Sequence, residues 1–163
     1  MYYHLKTRIM KKKLLTFGLI FVTVANMTAQ TIDDIFNEFK DKENVECITI
    51  PGSMMGMASS STKKEGGNDF LKKVSSVRVL NIENNNALQQ SFCDRVASLK
   101  KQGYETMVNS NEENEKTQIL VKTKEENITE MVVIHIEPTE CALVQINGEF
   151  KPSDTQTILD KIE

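Results

Sequence analysis

Tryptophan is absent from this chain, and proline (3 residues), glycine (7) and cysteine (3) are sparse among its 163 residues. So little proline and glycine excludes a collagen-like or low-complexity polymer. Three cysteines cannot staple a disulfide-dense miniature scaffold. No C-x-x-C pair occurs, which removes the spacing of thioredoxin-like redox motifs and zinc knuckles. There is no G-x-S-x-G elbow and no calcium-loop spacing, and Gly66-Gly67 lacks the Lys-Ser/Thr of a phosphate-binding loop. Imidazole is almost missing, with His4 and His135 the two histidines. No catalytic residue, cofactor-binding residue, metal ligand or cofactor is therefore assigned from sequence, and the chain reads as a non-enzyme.

What is present is 39% hydrophobic and 26% charged, the balance of one globular domain. The first 29 residues differ in kind. Lys11-Lys12-Lys13 precedes the apolar run Leu14 to Ala25, the layout of a secretory signal peptide, with Met10 a better start than Met1 and cleavage expected near Ala29. The run falls short of the roughly 20 apolar residues that span a bilayer, so no stable membrane anchor is expected in the mature chain. Residues 1–29 carry five bases and no acid, which leaves 15 bases against 23 acids beyond them, a net charge of −8. An acidic surface of that kind argues against nucleic acid as a partner. The expectation is a soluble exported protein, periplasmic or secreted, with a single domain over residues 30–163.

Within that domain, Thr31 to Lys40 carries Ile32, Ile35, Phe36 and Phe39 at helical spacing, with Thr31 placed to cap. Val45 to Ile50 reads as a strand ended by Pro51-Gly52, and Ser53 can cap a short helix through Ala58. Residues 59–69 read as a mobile surface loop, and Val77 to Ile82 as a second strand. Ala87 to Gln102 is a helix with Leu88, Phe92, Val96 and Leu99 on one face and Gly103 at its end. Four strand-like runs follow, at 104–108, 118–124, 128–137 and 141–147, joined by short polar links. Ser153 to Ile162 reads as a closing helix. The pattern predicts an α+β fold: a mixed, mainly antiparallel sheet with a four-strand C-terminal meander and helices packed mainly on one face. Met131-Val132-Val133-Ile134 is apolar on both faces and belongs near the sheet centre.

These segments, in this order, resemble the domain-of-unknown-function 4252 family of exported Bacteroidota proteins. The resemblance rests on Phe36-Asn37-Glu38-Phe39, on Ile48 to Met55, on Val77 to Ile82, on Gly103 to Met107 and on Ile146-Asn147-Gly148-Glu149-Phe150. It covers most of residues 31–163. It implies a small α+β domain of the cell envelope and supplies no activity, cofactor or site residue. Many members resemble lipoproteins, whereas this leader lacks the cysteine that would be acylated.

Three groups of residues could carry chemistry. Met54, Met55 and Met57 with Cys47 offer soft ligands of the type copper(I) prefers, although neighbouring methionines on a helix diverge and Met is a common core filler. Cys47, Cys93 or Cys141 could pair with His135 as base in a thiol enzyme or redox protein. The plainer reading makes the cysteines buried thiols, or one bridge and a leftover, and His135 a strand histidine. The acids Glu112, Glu113 and Glu115 and the pair Glu125-Glu126 read as solvated hairpin tips. Finally, the sheet face away from the helices should expose apolar side chains, including Met131, Val133, Leu120 or Val121, and Leu143 or Val144. Such a face suits an envelope or secreted protein partner, or a homodimer. A non-enzymatic binding module is the leading expectation.

Overall fold

The computed structural model describes residues 31–55 and 67–159. The leader through Ala29, residue Met57, residues 59–66 of the expected loop and the final residues 160–163 lie outside them. Helix α1 (Ile32–Phe39) is followed by strand β1 (Val45–Pro51) and a helical turn at 52–55. Helix α2 (Gly67–Lys73), strand β2 (Val74–Glu83) and helix α3 (Asn86–Ala97) come next, then a 3-10 turn (Leu99–Gln102). Strands β3 (Glu105–Asn111), β4 (Lys116–Lys124), β5 (Asn127–Ile136) and β6 (Glu140–Phe150) form the meander, and α4 (Pro152–Leu159) follows.

The expected α+β class and four-strand meander are both present. The six strands form one sheet in the order β1-β2-β6-β5-β4-β3. Every ladder is antiparallel, so the anticipated mixture narrows to one orientation. The reason is where the connections land. Helix α3 carries the chain from β2 to the far edge, and β6 returns beside β2, so no strand lies parallel to a neighbour. Strands β5 and β6 are interior, and Met131, Val132 and Ile134 are buried on both sides of β5, as the doubly apolar run requires.

One sheet face carries Leu80, Ile82, Leu120, Val132, Ile134, Cys141 and Leu143. Helices α1 and α3 cover it with Ile32, Ile35, Phe36, Phe39, Phe92 and Val96, the spacing that made α1 legible. Phe39 and Phe92 meet edge to face with centroids 6.0 Å apart. Thr31 accepts from the Asp34 N–H, and Asp34 accepts from the Thr31 N–H, a reciprocal cap. Donation from the Thr31 N–H, then from its hydroxyl, holds the Asp34 carboxyl below the usual carboxylate range. Glu38 pairs with Arg95 at 2.9 Å, which ties α1 to α3. Gly103 ends the helical segment at φ 81°, a conformation glycine adopts without strain.

Among the described residues, the second face is covered more thinly. Phe70 of α2 stacks on Phe150 at 4.9 Å, and Met55 packs with them over Val74, Val121, Ile128 and Met131. The expected loop therefore ends sooner than its composition suggests, because residues 67–69 already belong to α2. Lys73 of α2 binds Asp154 of α4 at 2.7 Å. Gly148 is the hinge point of this layer. A Cβ there would fall inside contact distance of the Lys73 carbonyl oxygen and the Phe150 ring.

Gly148→Ala is expected to destabilise the domain by about 1–3 kcal/mol, the usual cost of forcing volume into a packed site. Urea unfolding reads the change, and an unaltered midpoint would show that the close approach is not needed.

Candidate functional site

Strand register fixes which side chains can meet. Alternation puts Glu115 and Thr117 on one face, and His135 and Glu137 on the same one, because His135 sits opposite Thr117 in the β4–β5 ladder. The result is a compact group at one end of the second face. Thr117 Oγ1 lies 3.0 Å from His135 Nδ1, and Glu137 Oε1 lies 2.9 Å from Nε2. Glu115 Oε1 approaches Nδ1 at 3.6 Å. His135 is half-buried while both glutamates reach solvent. Two hairpins hold the backbone beneath them: Glu112 donates its N–H to the Glu115 carbonyl at 2.8 Å, and Glu137 to the Glu140 carbonyl at 2.7 Å.

This arrangement differs from both chemical alternatives that the sequence offered. Cys141 points into the covered face beside Cys93, whereas His135 lies on the other face, so neither thiol meets the imidazole. Cys47 lies on β1 opposite Leu80, also away from His135. It is exposed rather than buried, because β1 is an edge strand. The methionine cluster separates as well: Met54 is 57% exposed and Met55 packs into the second-face core. The neighbours His135 gains are two glutamates rather than a thiol.

Sequence reasoning also passed over a polar chain beneath α1. Arg78 lies over the Phe36 ring at 4.2 Å and pairs with Asp33. Its Nε donates to Gln145 Oε1 at 2.7 Å, and Gln145 in turn donates to Glu130. Glu130 also accepts from the Tyr104 hydroxyl at 2.7 Å, and Lys122 sits over the Tyr104 ring. Burial, then the Glu130 carboxylate, raises the Tyr104 phenol well above its ordinary range, so it stays a donor. These groups satisfy one another, which is what polar side chains require beneath a packed helix.

The sheet's margins complete the description. On the second face, Ile48, Val79, Val144, Val133, Ile119 and Val108 stand opposite one another across all six strands. Cover is uneven along this row. Ile119 is buried, but Ile48 is 43% exposed, and Ile48, Ile50, Val79 and Val144 lie outside both core clusters. A polar cleft of about 290 Å³ opens nearby between Asn44, Glu46, Asn81 and Glu83. The two edges differ too. Strand β1 pairs with β2 without a register shift, whereas β3 is bulged between Thr106 and Val108 and presents Glu105, Asn109, Ser110 and Asn111.

Thiol reactivity checks the placement of the cysteines. Burial, then the neighbouring Cys93, pushes Cys141 up to about 12, and burial also raises Cys93. At pH 8 a disulfide reagent is expected to modify Cys47 at once and the other two only after unfolding. Cys47→Ser should remove the fast phase. Three equally fast thiols would contradict the assignment.

No curated protein matches the chain at a significant level. Among the described residues, no helix is long and apolar enough to cross a membrane. The family model described as Domain of unknown function (DUF4252) matches residues 39–158, which span β1 through α4 and hence the whole sheet. The chain belongs to that family.

Proposed function

We propose that this protein is an exported, non-enzymatic binding module of the bacterial cell envelope, and that it takes an extended partner segment along β1. The export half of the reading rests on the basic and apolar leader at residues 11–25. The binding half is carried by one observation: Ile48 is 43% exposed in the middle of an unbulged edge strand.

A free edge offers a row of N–H and C=O groups with no strand to receive them. Folded proteins usually blunt such an edge with charge, a bulge or proline. Strand β3 follows that rule. Strand β1 carries Glu46 near its start and Pro51 at its last position, with no charge or bulge between them. Its centre leaves Cys47 and Thr49 on one side and Ile48 and Ile50 on the other, all accessible or half-buried. An added strand would draw affinity from main-chain hydrogen bonds and selectivity from alternate side chains. Those that share a face with Ile48 and Ile50 would extend the row through Val79 and Val144 and bury its open end.

A photo-crosslinking residue at position 48, introduced in the producing cell, is expected to give a discrete protein adduct. The same probe at Glu113, on the β3–β4 turn, should give none. Ile48→Lys, with crosslinking from position 50, should abolish the adduct while changing stability by no more than about 0.5 kcal/mol, as for other exposed sites. Adduct mass distinguishes a second copy of this chain from a different protein. Equal labelling from positions 48 and 113 would overturn the reading.

A further inference from the structure

We propose that Glu115, His135 and Glu137 form a binding site for a single divalent cation of the zinc type. The site is separate from strand addition at β1, since β4 and β5 lie on the other side of the sheet centre.

Geometry carries the proposal. Each of the three side chains offers a ligand atom, and these atoms lie within 4.8 Å of one another. Ligand atoms about 2.1 Å from a zinc ion stand about 3.0–3.4 Å apart around it, in octahedral or tetrahedral geometry. His135 Nε2 and Glu137 Oε1, 2.9 Å apart, are already close to that separation. Glu115 needs a side-chain rotation to join them, which its exposure allows.

The other ring nitrogen is supported from behind. Thr117 Oγ1 sits 3.0 Å from Nδ1. Donation of the Nδ1–H to that hydroxyl leaves the Nε2 lone pair directed outward, the arrangement that orients metal-bound histidines. The backbones of Glu115 and Glu137 are fixed by their hairpin hydrogen bonds, so only side-chain freedom is lost on binding.

Charge points the same way. Among the described residues, His135 is the side chain that both Glu115 and Glu137 approach. Lys116, next in sequence to Glu115, lies opposite Ile136, whose side chain packs against the other face. Two carboxylates thus converge on one imidazole with no lysine or arginine between them. A divalent ion supplies the missing positive charge. One imidazole nitrogen and two carboxylates suit zinc and its transition-metal neighbours better than the soft copper(I) that the methionines suggested. Three protein ligands leave further positions for water or for a group brought by another molecule.

The test is titration of zinc chloride alone into the full chain carrying His4→Gln and Cys47→Ser. His135 is then the sole imidazole, and the exposed thiol cannot compete. Calorimetry is expected to give one ion per chain, and the His135 ring resonances should shift in proton NMR as that ion binds. His135→Ala should weaken binding at least 100-fold, and Glu115→Gln and Glu137→Gln each at least tenfold. Glu113→Gln, on the neighbouring turn, should change nothing. Binding that survives His135→Ala, or ring resonances that stay fixed at millimolar zinc, would overturn the proposal. The ring resonances decide the question without relying on how the variants fold.

Discussion

A β-sheet has two faces and two edges, and the economy of this molecule follows from how its described helices are divided among them. The apolar run Met131-Val132-Val133-Ile134 of β5 demands burial on both sides, so β5 is held inside the sheet with β6 beside it. Helices α1 and α3, with their phenylalanines, close the first face over Leu80, Val132 and Leu143. What remains for the second face is the short α2, the turn that bears Met55, and α4. They reach the end of the sheet near Phe150 and leave the rows beyond it progressively more open. The polar end of that face holds His135 and its glutamates, and the apolar middle runs out to Ile48.

This gradient explains why the two candidate surfaces are where they are. Helix α1 docks over Arg78, and the chain from Arg78 through Gln145 and Glu130 to Tyr104 spends its polar capacity internally. On the second face, no helix among the described residues covers the polar groups around His135. Their nearest neighbours are hairpin ends, which are both rigid and acidic. Rigid hairpins with free carboxylates favour an ion; a flat edge with accessible isoleucines favours a strand. The two surfaces are chemically distinct and lie at different places on the same sheet.

Much of the architecture was legible from sequence because it is written in periodicity. Ile32, Ile35, Phe36 and Phe39 define a buried helix face from spacing alone, and the period-two runs after Gly103 define the meander. Gly148 and Gly52 were visible within motifs, and the structure supplies the reason: a Cβ at either would press on backbone carbonyls of the α2–β2 junction. The site was far less legible. Glu115 looks like a solvated turn acid and Glu137 like the end of a strand until strand register places each two residues from Thr117 or His135 on a shared face. Register depends on which strands pair, and local spacing does not encode that choice. Cys47 was misjudged for the same reason. A cysteine in an apolar strand is usually interior, but this strand became the edge. Arg78, Glu130 and Gln145 alternate with apolar neighbours just as solvent-facing residues would, so their burial under α1 left no local signature. Residues 67–69 lacked apolar periodicity, and the helix they begin is held by Phe70 and by the Lys73–Asp154 pair that follow them.

The account turns on β1 being a genuine open edge, paired with β2 and with nothing else. Residue-resolved hydrogen exchange on the full chain by itself tests this most directly. Alternate amides from Glu46 to Ile50, those turned toward β2, should be protected, and the intervening ones should exchange at nearly the rate of an open chain. Uniform protection along β1, matching that of β5 and β6, would mean that the edge is already covered and would contradict the account.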